Sequence, residues 1–133
     1  MKKQFILNEN ELNELIKELP LNGVIILQGD LASGKTTLCK KIAQFLGKNE
    51  NLSSPTFALM QDYGDLYHYD LYRTDCDEIM LNGLFENFFE DGLHLVEWGD
   101  EKLIQRLLKY EISVCVVTIS LKKNARHYEI EKR

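Results

Sequence analysis

The sequence predicts an α/β protein of three layers, in which a central mixed sheet is flanked by helices. Short apolar runs, typical of buried strands, alternate along the chain with amphipathic stretches at helical spacing. The most apolar runs are GVIILQGD at 23–30, LHLVEW at 93–98 and EISVCVVTIS at 111–120. A glycine-rich stretch overlaps the end of the first run and leads directly into a helical pattern, which fixes the order of these two elements.

The other elements follow from the same patterns and from the turn signals between them. Further strands are predicted at 3–8, in two runs joined by a turn at 63–65, and at 126–132 as part of a final hairpin. Helices are predicted at 8–19, 36–47, 75–91 with a break at 82–83, and 100–110, and a polar loop at 48–57. The buried face of the second helix is expected to contain Leu38, Ile42, Phe45 and Leu46.

Length and composition favour one globular domain over residues 1–133. Hydrophobic residues make up 44% of the chain, and charged residues 28%, so the chain can bury a substantial core. The formal net charge is −5. An acidic chain lacks the basic footprint of a nucleic-acid-binding protein, so we expect no strong direct binding to nucleic acid.

The cysteines and the N-terminal stretch indicate the cellular compartment in which the protein is expected. The three cysteines are widely spaced, which argues against a disulfide framework or a zinc site. The N-terminal apolar stretch is too short for a signal sequence, and no run approaches the length of a membrane span. We therefore expect a cytoplasmic protein that does not associate with a membrane.

The stretch GDLASGKTT at 29–37 carries the chemistry of the chain. Its spacing, G-x-x-x-x-G-K-[ST], is that of a phosphate-binding loop between a strand and a helix, and it specifies the fold as P-loop NTPase-like. Backbone N–H groups of such a loop bind phosphate, the lysine reaches the β- and γ-phosphates, and the hydroxyl is placed for Mg²⁺. The predicted nucleotide-binding set is Ala32, Ser33, Gly34, Lys35, Thr36 and Thr37, with ATP or ADP and Mg²⁺ as the bound groups.

Glu97 is the candidate for a second metal-side residue. It ends the apolar run at 93–96, so it is expected at the carboxyl edge of the sheet, where open α/β sheets bind ligands. The alternative is a solvated carboxylate at a strand end. Trp98 follows directly, and an aromatic residue that only packs at the rim of the site is as good an interpretation as a nucleotide contact.

Two further segments are candidates on weaker grounds. In HYDLYR at 68–73, His68 and Asp70 point to the same face of an extended segment, although a structural role for Asp70 is the more common outcome. In SSPTF at 53–57, Thr56 occupies the place where switch proteins carry a γ-phosphate-sensing threonine. A turn residue before a strand explains Thr56 equally well.

The four elements GDLASGKTT, SPTF, HYDLYR and LVEW, in this order, resemble the TsaE (YjeE) family over residues 5–120 or so. The resemblance implies a small bacterial P-loop ATPase that is needed to make threonylcarbamoyladenosine in tRNA. It also implies Mg²⁺-dependent ATP hydrolysis and partnership with the TsaB–TsaD complex.

Residue by residue, the resemblance implies that Lys35 and Thr36 hold phosphate and Mg²⁺ and that Glu97 is the second metal ligand. It further implies that Asp70 is needed for hydrolysis, that Thr56 is the switch threonine, and that Trp98 lies close to the nucleotide. The predicted catalytic set therefore consists of Lys35, Asp70 and Thr56.

The sequence departs from the family pattern at two places. The family loop commonly has glycine and alanine where Ala32 and Ser33 stand, and a proline commonly follows Glu-Trp where Gly99 stands here. If position 32 requires a positive φ, alanine there costs about 1 kcal/mol. The affinity of the loop, rather than its role, is the property that this change affects.

Other nucleotide-binding classes remain open at this point. A small P-loop kinase needs an acceptor site and several cations, yet of the four arginines only Arg73 lies in a plausible place, with Arg126 and Arg133 near the terminus. A non-hydrolysing regulatory subunit is disfavoured by the pair of carboxylates, Asp70 and Glu97. A GTPase is disfavoured because the N-K-x-D pattern is absent from the sequence.

Overall fold

A seven-stranded sheet forms the centre of the protein, as seen in a computed structural model that describes residues 2–30, 33–48 and 59–133. The strands are β1 (Lys2–Leu7), β2 (Gly23–Gln28), β3 (Met60–Asp62), β4 (Leu66–Asp70), β5 (Leu93–Glu97), β6 (Val114–Lys122) and β7 (Ala125–Lys132). The helices are α1 (Leu12–Ile16), α2 (Lys35–Phe45), α3 (Cys76–Leu81) and α4 (Glu101–Lys109), with 3-10 turns at Glu9–Glu11 and Leu84–Phe89.

The strand order, β1-β7-β6-β2-β5-β4-β3, brings the functional segments to one edge. The four central strands β6, β2, β5 and β4 are parallel, whereas β1, β7 and β3 are antiparallel to their neighbours. Glu97 pairs with Leu27 of β2 on one side and with Asp70 of β4 on the other. Because parallel strands end at the same edge, the loop after β2 lies beside both acidic residues.

Helices pack against each face of the sheet and bury a separate core there. The sheet and the helices on its two faces form the three layers. The apolar side chains of β2 alternate between the cores: Ile25 and Leu27 face α1 and α2, whereas Val24 and Ile26 face α3 and α4. Strands buried on both faces are expected to be continuous apolar runs, as the run at 23–27 is. The predicted three-layer fold with a mixed central sheet is confirmed.

Two details differ from the sequence-based expectations. The first helix is shorter than 8–19, because it begins with a 3-10 turn and its α-helical part ends at Ile16. In α2 the buried face contains Cys39 and Ala43 with Leu38 and Ile42, whereas Phe45 is 46% exposed. Phe45 is the last residue of α2 and lies at the margin of the buried face.

None of the helices in the described ranges combines the length and the apolarity that a membrane crossing requires.

A buried polar cluster lies under the α3–α4 side of the sheet, around His94. His94 is 1% exposed. Its Nε2 donates to the carbonyl oxygen of Glu90 at 2.9 Å, and its Nδ1 accepts from the hydroxyl of Tyr69 at 2.7 Å. The ring of Tyr67 stacks on the imidazole with a centroid distance of 4.5 Å. Burial lowers the pKa of His94 below its ordinary value of 6.5, so the folded protein holds this side chain neutral.

This burial predicts a pH dependence of stability. The unfolded chain protonates His94 near pH 6.5 and the folded chain resists it, so the stabilisation is present above that pH and is lost as the pH falls through and below it. The contribution is at most about 1.4 kcal/mol per pH unit. We expect the double variant His94→Phe/Tyr69→Phe to show a shallower loss of unfolding free energy between pH 7.5 and 5 in urea titrations. His127→Gln, outside the cluster, is the control, and an equal slope in the parent and the double variant would contradict this account.

Candidate nucleotide-binding site

A cavity of about 300 Å³ opens at the carboxyl edge of the sheet, beside the N-terminus of α2. It is lined by residues of the loop and α2, of the ends of β4 and β5, and of β7: Ser33, Gly34, Lys35, Thr36, Thr37, Asp70, Tyr72, Glu97, Trp98 and Arg126. The first turn of α2 lines it, and this end of a helix carries N-terminal backbone N–H groups and the positive end of the helix dipole. This combination suits an anionic ligand.

Two glycines shape the loop between β2 and α2. A Cβ atom at Gly29 would lie 2.6 Å from the carbonyl oxygen of Ile119 and from Ser33 Oγ, so only glycine fits at the end of β2. Gly34 is the residue before α2 and has φ of 109°, in the region that disfavours other residues. The glycines of the motif are therefore required by close packing at the first position and by backbone conformation at the second.

Lys35 is held inside the loop although it is charged. Its side chain is 4% exposed, and Nζ donates to the carbonyl oxygens of Gly29 at 2.6 Å and Asp30 at 2.8 Å. The same ammonium lies 4.0 Å from the centroid of the Trp98 ring, a cation–π contact. Burial lowers the pKa of Lys35, and the negative charges of nearby carboxylates, Glu97 foremost, oppose this shift.

Glu97 is buried and joins three elements of the fold. Its side chain accepts hydrogen bonds from the hydroxyl of Thr36, which lies 2.9 and 3.1 Å from the two carboxylate oxygens. On the other side, His68 Nε2 lies 2.6 Å from Oε2. Because a carboxylate only accepts, Nε2 carries the proton. Glu97 is 3% exposed, so the prediction of a strand-end residue is right and the alternative of a solvated carboxylate is wrong.

The oxygen atoms at this point fit a hard cation. The hydroxyl of Thr36 and the carboxylate of Glu97 are in contact, and Asp70 lines the same cavity; such oxygen donors are the ligands that Mg²⁺ prefers. Cys39, His68 and Glu97 also place ligand atoms within 4.8 Å of one another. Burial raises the pKa of the Cys39 thiol well above its usual range, however, and a protonated thiol is a poor metal ligand.

Asp70 and Trp98 complete the opposite wall. Asp70 ends β4, and its Oδ1 accepts from the backbone N–H of Tyr72 at 3.1 Å. Trp98 has φ of 67°, an unusual conformation for a bulky residue, and its ring lies 4.8 Å from that of Tyr72. A Cβ atom at Gly99 would lie 2.9 Å from the side chain of Ile26. Glycine at 99 therefore lets the chain turn tightly against the sheet after Trp98.

Most of the residues singled out from the sequence come together in this cavity. Ser33, Gly34, Lys35, Thr36, Thr37, Asp70, Glu97 and Trp98 all line it. Ala32 and Thr56 lie outside the described residues. The parts assigned to individual residues, catalytic, nucleotide-binding or metal-binding, stay predictions at this stage.

Two residues that the sequence patterns did not single out, Tyr72 and Arg126, also line the cavity. Arg126 lies near the C-terminus of the sequence. The strand topology explains its position: β6 runs parallel to β2 and ends at the same edge, and β7 turns back from that edge with Arg126 as its second residue. The sequence does contain a signal for this position. A hairpin that follows a strand parallel to the phosphate-loop strand turns back at the edge where that loop lies.

The fold and the cavity together define a P-loop NTPase-like α/β protein. A family model described as threonylcarbamoyl adenosine biosynthesis protein TsaE matches residues 6–130. The chain belongs to the TsaE family. The resemblance stated from the four sequence elements is thereby confirmed.

Individual relatives agree with this family. The TsaE protein of Rickettsia felis is 40% identical over 110 residues, covering 76% of this chain and 63% of that protein. The TsaE protein of Bacillus subtilis is 43% identical over 96 residues, covering 67% of this chain and 60% of that protein. These matches thus span less than two thirds of either relative. In structure, the chain is similar to Bacillus subtilis YdiB, with a TM-score of 0.66, 30% identity, and coverage of 98% of this chain and 86% of that one.

The contact between Lys35 and Trp98 predicts a spectroscopic effect. Trp98 is the only tryptophan in the chain, so the tryptophan emission comes from this ring alone. We expect Lys35→Ala to shift the emission maximum of the protein without added ligand, because the ammonium 4.0 Å from the ring is removed. Lys40→Ala, at an exposed position of α2, should leave the emission unchanged. Identical spectra for Lys35→Ala and the parent would contradict the geometry.

Proposed function

We propose that this chain is a Mg²⁺-dependent ATPase that supports threonylcarbamoyladenosine formation in tRNA by acting on the TsaB–TsaD complex in the cytoplasm. The observation that carries the ATPase proposal is the convergence of Lys35, Thr36, Glu97 and Asp70 on one cavity at the N-terminus of α2. Membership of the TsaE family supports the assignment to this tRNA modification.

Lys35 would be the principal phosphate-binding side chain. In the structure its ammonium is bound by the carbonyl oxygens of Gly29 and Asp30, which are neutral acceptors. A phosphate oxygen is charged and forms the stronger hydrogen bond. We infer that Lys35 exchanges its loop carbonyls for the β- and γ-phosphates of ATP, while the backbone N–H groups at the start of α2 hold the same anion.

Thr36 and Glu97 would hold the magnesium ion of MgATP, and this ion would neutralise charge on the β- and γ-phosphate oxygens. Hydrogen bonds in the structure already hold both side chains in place. The hydrogen bond from His68 Nε2 at 2.6 Å fixes the Glu97 carboxylate, and the Thr36 hydroxyl already lies against it. A carboxylate oriented by a second residue is a common arrangement at metal sites.

Asp70 would act on the attacking water. It ends β4 next to Glu97 in the sheet register, so the two carboxylates lie at adjacent strand ends of one cavity. The backbone N–H of Tyr72 orients its Oδ1, which leaves the other carboxylate oxygen for a water molecule. A carboxylate that positions a nucleophile contributes mainly in the transition state.

If the residues have these roles, substitution of Lys35 should mainly weaken nucleotide binding, and substitution of Glu97 or Asp70 should mainly lower the turnover number. We expect Lys35→Ala to weaken Mg-ADP binding by at least about 10-fold, because it removes a charged hydrogen-bond donor to phosphate. Glu97→Gln and Asp70→Asn should lower the turnover number more than they lower ADP affinity. Glu86→Gln, in the 3-10 turn Leu84–Phe89 and with an exposed side chain, is the control. Equal losses of affinity and turnover in both carboxamide variants would show a structural role instead.

Hydrolysis by the chain alone is expected to be slow. We propose that docking of the TsaB–TsaD complex places SSPTF (53–57) or HYDLYR (68–73) around the γ-phosphate, in the manner of nucleotide-dependent switches. Thr56 would then sense this phosphate. The acidic net charge of −5 suits a protein partner better than the phosphates of tRNA, which repel it.

The partner proposal predicts which addition stimulates the enzyme. Steady-state ATP hydrolysis should be slow for the chain alone and with tRNA alone, and should rise at least 10-fold with the purified TsaB–TsaD pair. Stimulation by tRNA alone, with no effect of the pair, would contradict it. Phosphate release that requires a small-molecule acceptor would identify a kinase, and tight ATP binding without turnover in every mixture would identify a regulatory subunit.

A further inference from the structure

Arg126 lies against the turn that begins the phosphate-binding helix. A Cβ atom at Gly34 would be 2.9 Å from Arg126 Nε, 3.1 Å from Cδ and 3.2 Å from Cζ. Gly34 is the residue directly before α2. The guanidinium of β7 is therefore in contact with the part of the loop that approaches the phosphates, although 92 positions separate the two residues in the sequence.

No carboxylate neutralises this guanidinium within the described part of the chain. The ion pairs of the described residues do not include Arg126, whereas Arg133 pairs with both Glu101 and Glu131. The Nε atom of Arg126 is buried and has no hydrogen-bond partner among the described residues. Buried donors without partners are rare and costly, and they recur at sites that bind a ligand.

Few cations line the cavity to meet the negative charge of a polyphosphate. The described residues that line it include two carboxylates, Asp70 and Glu97, and two cations, Lys35 and Arg126. Lys35 is engaged by two loop carbonyls and the Trp98 ring. A polyphosphate entering this cavity therefore finds its second cation in Arg126, and an arginine is the side chain best shaped to bind phosphate through two parallel hydrogen bonds.

We propose that Arg126 is a nucleotide-binding residue of this site, and that its guanidinium binds the α- and β-phosphates of the nucleotide. This proposal rests on the function proposed above. The α/β side follows from Gly34, because the backbone of a phosphate loop encloses the α- and β-phosphates, whereas the lysine reaches the β- and γ-phosphates. The β7 strand thus completes in this chain the phosphate site that the loop and α2 begin.

The test is equilibrium binding of Mg-ADP and of a non-hydrolysable Mg-ATP analogue, followed by Trp98 fluorescence or calorimetry without any partner. Arg126→Met keeps most of the apolar stem and removes the charged fork. We expect it to weaken both ligands by the same factor, about 10- to 100-fold, because a hydrogen-bonded charge is lost from groups that both ligands share. Arg126→Lys, which keeps the charge without the fork, should show a smaller loss.

Lys123→Met is the matched control, because it removes one positive charge from the exposed turn of the same hairpin. It should bind both ligands as the parent does. The guanidinium also meets the side chain of Tyr128, so Tyr128→Phe, which removes that contact alone, should bind both ligands as the parent does. This readout separates a ligand-binding residue from a structural one.

Unchanged ADP affinity in both Arg126→Met and Arg126→Lys would overturn the proposal, as would a loss confined to the ATP analogue, which would place the guanidinium at the γ-phosphate. A parent protein that binds neither nucleotide would overturn the site itself. A parent that binds ADP but never hydrolyses ATP would overturn the ATPase proposal alone, and the loss of affinity in Arg126→Met would still support this inference.

Discussion

A buried carboxylate is the constraint around which the candidate site is built. Glu97 is 3% exposed, and a charge removed from water is tolerated only with hydrogen-bonding partners. Thr36 of α2 and His68 of β4 supply them. These contacts tie the phosphate-loop helix to two neighbouring strands of the sheet, so the positions of Thr36 and Glu97 relative to each other are set by the fold itself.

The structure holds one part of the candidate site in place and leaves another part to change partners under the proposed function. Thr36 and Glu97, the proposed magnesium ligands, are already in contact, whereas the Lys35 ammonium is bound to loop carbonyls and to the Trp98 ring. A preformed pair costs little reorganisation on binding. Under the proposed function, Lys35 exchanges these partners for phosphate, which would couple ligand binding to the environment of Trp98. Trp98 has an unusual positive φ of the kind found at functional sites.

The sequence predicted the three-layer fold because the buried strands are continuous apolar runs and the glycine pattern marks a strand–loop–helix unit. It also predicted that Glu97 lies at the carboxyl edge, because this residue ends an apolar run, whereas Asp70 was predicted from the HYDLYR pattern and the family resemblance. It could not predict the burial of Glu97, which depends on His68 two positions before Asp70, or the place of Arg126. The antiparallel pairing of β7 with β6 brings Arg126 back to the loop, and this long-range pairing leaves no local pattern.

The most direct test of this account is a crystal structure of the chain grown with Mg-ADP. The account predicts the β-phosphate at the N-terminus of α2 with Lys35 Nζ bonded to it instead of to the carbonyls of Gly29 and Asp30. It also predicts a magnesium ion held on the side of Thr36 and Glu97. A nucleotide bound elsewhere, or bound in this cavity with Lys35 still on the loop carbonyls and no ion beside Thr36, would contradict it.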